Sequence, residues 1–222
     1  TVSNSPCALS TDDVVISSTS NPTSSKAVPD QNVCGTSATL AATAPTVGTG
    51  AWSIASGSGG SFANTSLRTS TFTGTQGNSY SLVWTISNSP CTVSTDTVVI
   101  NFISNPTTSN AGPDQTLCGT SATLAANAPT VGTGTWTVVT GSGGSFATST
   151  NPTTIFTGTQ GTTYTLRWTV SNSPCALSTD DVVISFTNNP SASNAGPDQN
   201  VCGTTTTLAA NTPTDGTGAW SI

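Results

Sequence analysis

Tyr164-Thr165-Leu166-Arg167-Trp168-Thr169-Val170 alternates residue by residue, with Tyr164, Leu166 and Trp168 facing one way and Thr165, Arg167 and Thr169 the other. A period of two belongs to a half-buried strand of an antiparallel sheet. Downstream, the turn residues Ser171-Asn172-Ser173-Pro174 precede a stretch in which Val182, Ile184 and Phe186 form the inward face of a final strand. Upstream, Phe156 and Phe146 mark two shorter strands. Gly132-Thr133-Gly134 opens a strand carrying Trp136 and Val138, which Gly141-Ser142-Gly143-Gly144 closes. Earlier still, Ala122, Leu124 and Ala126 share one face. No stretch carries a helical period.

About seven short strands, with a turn every eight to twelve residues, predict an all-β immunoglobulin-like sandwich. Trp136 takes the place of that fold's third-strand tryptophan, and Tyr164, near the start of the sixth strand, is placed to form its tyrosine corner.

This pattern recurs every 84 residues without insertion or deletion. Cys7, Cys91 and Cys175 keep that step, as do Cys34, Cys118 and Cys202, Trp52, Trp136 and Trp220, and the pair Trp84 and Trp168. The expected domain plan is therefore tandem sandwiches in a linear array. Residues 23–106 and 107–190 are complete repeats, residues 1–22 match the C-terminal part of one, and residues 191–222 match the N-terminal part of another. Near-identical repetition suits spacing, display or multivalent contact better than one unique active site. A longer polypeptide that continues the period on both sides is expected, with units spaced by roughly 35–45 Å. Short connectors such as Asn105-Pro106 should limit bending between them. Cut free, the partial repeats would leave Leu9, Val14, Ile16 and Trp220 without most of their packing partners, which favours aggregation.

Charge is scarce: Lys26, Arg68 and Arg167 are the only bases, against nine aspartates and no glutamate. Such a chain lacks the basic footprint that nucleic acid or an anionic membrane requires. No apolar run reaches the roughly 20 residues of a membrane-spanning helix. Recurrent Trp, Phe, Val and Ile set the chain apart from a disordered Ser/Thr/Gly-rich segment.

Two cysteines per repeat, without His or a CxxC motif, point to disulfides in an oxidising, extracellular setting rather than to zinc. Bonds within each unit, Cys34 to Cys91 and Cys118 to Cys175, are the preferred expectation, because a small domain gains most from a bridge closing its own chain. The rival pairing crosses boundaries, Cys7 to Cys34, Cys91 to Cys118 and Cys175 to Cys202, and uses all six.

Without His or Glu, and with the cysteines assigned to disulfides, no usual general base is available, so no catalytic residue is assigned and an enzyme is not expected. Calcium is the metal to consider. Asp30, Asp114 and Asp198 each follow a proline, and Asp180 and Asp181 begin a last strand, where oxygen ligands would stiffen a domain junction. The structural alternative is a Pro-Asp-Gln turn with strand-edge aspartates that deter aggregation. Asn64-Thr65-Ser66 and Asp96-Thr97-Val98 match glycosylation patterns but do not recur in the next unit. The threonine-rich strands offer a regular face for ice or carbohydrate, although exposed threonine is also what such strands commonly show to water.

Asn110-Ala111-Gly112-Pro113-Asp114-Gln115-Thr116-Leu117-Cys118-Gly119-Thr120, then Gly132-Thr133-Gly134-Thr135-Trp136, then the run from Tyr164 through Ser171-Asn172-Ser173-Pro174-Cys175, together resemble the Ig- or PKD-like repeats of very large Bacteroidetes surface proteins. These include SprB-type gliding adhesins and related substrates of type IX secretion. Where PKD domains carry Trp-Asp-Phe-Gly-Asp-Gly, this chain has Trp136-Thr137-Val138-Val139. The resemblance implies an exported, cell-surface or filament-forming repeat protein acting in adhesion or gliding motility. Its partners would be neighbouring repeats of the same chain and surface glycans. The alternative is an array of glycan- or calcium-binding modules that gains strength by multivalency.

Overall fold

The computed structural model describes residues 1–222 and contains fourteen strands and no helix. It divides into two compact units, residues 1–104 and 105–222. Each unit holds one seven-stranded sandwich.

In the first, β1 (Gln31–Cys34), β2 (Ser37–Thr39), β3 (Thr49–Ser56), β4 (Ser61–Phe62), β5 (Thr71–Thr73), β6 (Ser79–Ser87) and β7 (Ser94–Ile103) form two sheets, ordered β1-β7-β6-β3 and β2-β5-β4. In the second, β8 (Gln115–Cys118), β9 (Ser121–Thr123), β10 (Thr133–Thr140), β11 (Ser145–Phe146), β12 (Ile155–Thr157), β13 (Thr163–Ser171) and β14 (Ser178–Thr187) repeat the plan as β8-β14-β13-β10 and β9-β12-β11. Strands three, six and seven share one sheet, and strands two, four and five the other. This is the immunoglobulin-like arrangement, so the expected fold class is the observed one.

The alternation at 163–171 does what its period predicts. Tyr164, Leu166, Trp168 and Val170 are buried, and the intervening side chains reach the outer face. β13 pairs antiparallel with β10, Trp136 opposite Trp168, and with β14, Leu166 opposite Val182. The two indoles meet at 5.1 Å between ring centroids. Phe156 from the opposite sheet contacts Tyr164 edge-on at 5.0 Å and stacks on Phe186 at 6.4 Å. Trp52, Trp84, Phe72, Tyr80 and Phe102 repeat this cluster in the first unit.

The tyrosine corner forms in both sandwiches. Tyr164 Oη accepts from Thr159 N (2.9 Å) and donates to Ser142 O (2.8 Å); Tyr80 does the same with Thr75 N and Ser58 O. Two residues after that tyrosine, where antibody domains place a bridging cysteine, stand the buried Leu82 and Leu166. Gly134 is fixed by close approach: a Cβ there would lie 2.1 Å from Trp168 Cζ2.

The sequence reading missed the strand that Pro-Asp-Gln leads into. β1 and β8 pair parallel with β7 and β14, Cys34 opposite Ile103 and Cys118 opposite Thr187. The first and last strands therefore run in the same direction. The chain comes into each sandwich at one end, the upstream pole, and leaves from the other, the downstream pole.

Candidate functional site: aspartate clamps and polar cysteines

A leading segment that runs beside the last strand before pairing with it needs acceptors for its backbone, and the aspartates supply them. In the second unit Asp180 Oδ2 on β14 accepts from Ala111 N (2.7 Å), while Asp114 Oδ1 on the segment accepts from Val183 N (2.8 Å) on β14. Ser178 Oγ accepts from Ser109 N (2.8 Å). The first unit repeats the set with Asp96 and Ala27 N, Asp30 and Val99 N, Ser94 and Ser25 N. Each clamp is reciprocal, with one carboxylate from either strand bonding the other strand's amide.

This geometry accounts for most of the calcium candidates. Asp30, Asp114 and Asp180 bond backbone amides. Asp181 holds Arg167 in a two-pronged pair, Nε to Oδ1 at 2.7 Å and Nη2 to Oδ2 at 2.8 Å. Asp198 is exposed. No three Cys, Asp or Glu side chains converge on a common point.

The hydrogen bonds from Arg167 hold the Asp181 carboxyl below the usual carboxylate range. A depressed folded-state value gives stability that is present above the unfolded-state pKa and is lost as pH falls through the folded one. The first unit has Val83 and Thr97 at these positions. Acidification below about pH 4 should therefore remove one contribution from the second unit that the first never had. Replacing Arg167 with Val should narrow that difference, measured by acid titration of hydrogen-exchange protection in each unit. The pair is exposed, so added salt should weaken it as well.

The expected bonds within each unit are not formed. Cys34 and Cys175 are in the disulfide state, whereas Cys91 and Cys118 are thiols, as are Cys7 and Cys202. The reason lies in the parallel pairing. Cys34 closes β1 beside Ile103 at the downstream pole, while Cys91 lies in the turn before Ser94 at the upstream pole. The ten residues of β7 separate them, about 30 Å at the rise of a strand. A disulfide needs Cα atoms within about 7 Å. Cys118 and Cys175 are separated by β14 in the same way. The rival boundary-crossing set fails too, because it requires Cys7, Cys91, Cys118 and Cys202 to be oxidised. Two of the thiols make polar contacts within their own unit: Cys91 Sγ to Thr19 O and Ser20 O at 3.4 Å, and Cys118 Sγ to Asn189 Oδ1 at 2.9 Å.

The remaining candidates stay apart. Asn64 Oδ1 accepts from Ser66 N (2.9 Å) in an exposed turn, and Thr97 is exposed in β7. The outer face of β10 and β13 is lined by Thr135, Thr137, Thr165 and Thr169, with no aromatic ring among them.

No protein-family model matches the chain, and no curated protein is significantly similar to it. Among solved structures it is similar to the insect immune protein hemolin, at 10% identity and TM-score 0.45 over 76% of this chain and 47% of that one. It is also similar to immunoglobulin domains 1–4 of Sidekick-1, at 13% and 0.48 over 77% and 50%, and to fibronectin(III)-like modules of Clostridium thermocellum CbhA, at 13% and 0.37 over 74% and 94%. The chain spans about half the length of the first two. At such identities the fold assignment stands on strand order and pairing.

Proposed function

We propose that the chain is a segment of an extracellular repeat adhesin, a stalk or filament built of immunoglobulin-like domains in series and acting in surface adhesion or gliding motility. The observation that carries this reading is the parallel pairing of first and last strands. It sends the chain in at one pole of a sandwich and out at the other, which is the polarity that a stalk of domains in series asks of each domain. The 84-residue period, kept through both cores, supports it, because length then follows from copy number. The disulfide state of Cys34 and Cys175 supports an oxidising, extracellular location. The polar outer faces and the absence of a helix long and apolar enough to cross a membrane fit a segment held away from the bilayer. Residues 23–106 and 107–190 are the repeating units of this stalk, flanked by parts of two others.

The test is labelling of intact source cells with antibody to the repeats, together with deletion of the repeats. Surface labelling and loss of attachment or gliding are expected. Labelling only after permeabilisation would overturn the proposal. The alternative, a multivalent glycan-binding array, would be favoured by specific capture of the two-unit chain on a glycan panel.

A further inference from the structure

We infer that the first unit carries a binding site for the carboxylate of an acidic sugar, in the groove where residues 26–28 of the leading segment run beside residues 41–43. The groove has a volume of about 210 Å³ and is lined by Lys26, Ala27, Val28, Ala41, Ala42 and Thr43. Two backbone bonds hold its sides together, Val28 N to Ala41 O at 2.9 Å and Thr43 N to Lys26 O at 2.8 Å. Arg68 reaches the same stretch, its Nη1 donating to Ala42 O at 3.4 Å. The whole chain has three basic residues, so two of them meet at one groove.

The third base shows what such a side chain does with an acid in reach. Arg167 turns its Nε and Nη2 edge to Asp181 and holds both carboxylate oxygens. Arg68 uses Nη1 alone on the protein, and neither Arg68 nor Lys26 forms an ion pair. Asp30 and Asp96, the acids that clamp the leading segment, bond Val99 N and Ala27 N instead. The Nε and Nη2 edge of Arg68 is therefore an unengaged fork of the shape that matches a planar carboxylate, and Lys26 adds a second, more mobile charge. Both side chains are exposed. The fold does not require them: the second unit has Asn110 and Pro152 at these positions and builds the same sheets.

The rest of the groove selects a sugar. It is smaller than the roughly 300–1,000 Å³ pockets that enclose drug-sized molecules, so it takes a single ring. Val28 and Ala41 offer methyl surface to the C–H face of that ring. Thr43 Oγ1 donates to Lys26 O at 3.3 Å and keeps lone pairs that accept from a ring hydroxyl. A uronate presents a carboxylate, hydroxyls and a C–H face together. Two charges are too few for the broad basic footprint that nucleic acid needs. The use of this site in adhesion rests on the stalk reading, but the binding does not: loss of surface labelling would remove the first, and a failed titration the second.

The test is a titration of the 222-residue chain with trigalacturonate, and with the neutral galactose trisaccharide for comparison, followed by amide chemical shifts. Saturable shifts are expected at Val28, Ala42 and Thr43 and none at Gly112, Ala126 and Asn127, their counterparts in the second unit, with binding weakened by added salt. Lys26→Asn and Arg68→Gln should each weaken binding about fivefold, and together about twentyfold, while peptides from 79–103 keep their hydrogen-exchange protection. Arg68→Lys retains the charge without the fork and should bind no better than Arg68→Gln. No shift in the groove, equal shifts with the neutral trisaccharide, or a folded double variant that binds like the wild type would overturn the site. Full binding by Arg68→Lys, or tighter binding of a sulfated trisaccharide, would overturn the carboxylate, and equal binding of oligoaspartate would overturn the sugar.

Discussion

Trp168→Ala should strongly destabilise the second sandwich while leaving the first intact. Trp168 has no exposed surface and packs on Trp136 and against the floor that Gly134 leaves open. Truncating a buried tryptophan costs about 3–5 kcal/mol through lost transfer energy and the cavity left behind. Whole domains are stable by only about 5–15 kcal/mol. The two cores share no residue, so the first unit serves as an internal reference. Hydrogen exchange should show peptides from 163–187 losing protection and peptides from 79–103 keeping it. A loss below about 1 kcal/mol, or an equal loss in both units, would mean that the indole is not the keystone of its own core.

The phenylalanine variants should separate packing from polarity. Trp168 Nε1 has no hydrogen-bond partner, whereas Trp84 Nε1 donates to Thr43 O at 3.1 Å. The neighbouring indole is in the opposite state in each unit: Trp52 is the orphan in the first, while Trp136 donates to Pro152 O at 3.3 Å in the second. Trp84→Phe should therefore cost about 1 kcal/mol more than Trp168→Phe, because it also strands a carbonyl.

What could be read from the sequence was whatever a local period dictates. Alternation placed Tyr164, Leu166, Trp168, Val182, Ile184 and Phe186 inward, and all are buried. The tyrosine corner and the third-strand tryptophan followed from position along the unit. Local pattern is silent about which strand a short segment joins, and Gln115–Cys118 has only four residues from which to judge. That one unread pairing decided the cysteines, since parallel pairing of first and last strands puts the two cysteines of a unit at opposite poles. Burial likewise depends on partners and not on sequence alone. Val98 and Ile100 are buried in β7, whereas Val14 and Ile16, at the same places in the period, are 83% and 87% exposed. The clamps did leave a signal: the aspartate at 12, 96 and 180 and the one at 30, 114 and 198 recur with the period, as a structural requirement in every unit would demand.

Removing a clamp should cost nearly as much as removing core. Asp180→Ala would leave the amide of Ala111, itself 1% exposed, without its acceptor. Hydrogen bonds to charged groups contribute about 1.5–3 kcal/mol each, and a buried donor left unpaired carries its full desolvation cost. Asp114→Ala should cost less, because its carboxylate is exposed and water can reach Val183 N from that side. The double variant should lose about 3–5 kcal/mol. It should also free the leading segment from β14, seen as faster exchange at Ala111 and Val183 while Leu166 stays protected. Asp180→Asn keeps an oxygen acceptor and should restore about half of the loss. Calcium provides the decisive control. If these carboxylates act as clamps, millimolar calcium or a chelator will leave the unfolding midpoint of the wild-type chain unchanged. If they were calcium ligands, the midpoint would rise with calcium as mass action requires, and Asp180→Ala would abolish that rise. Such a result would turn the clamp into a metal site.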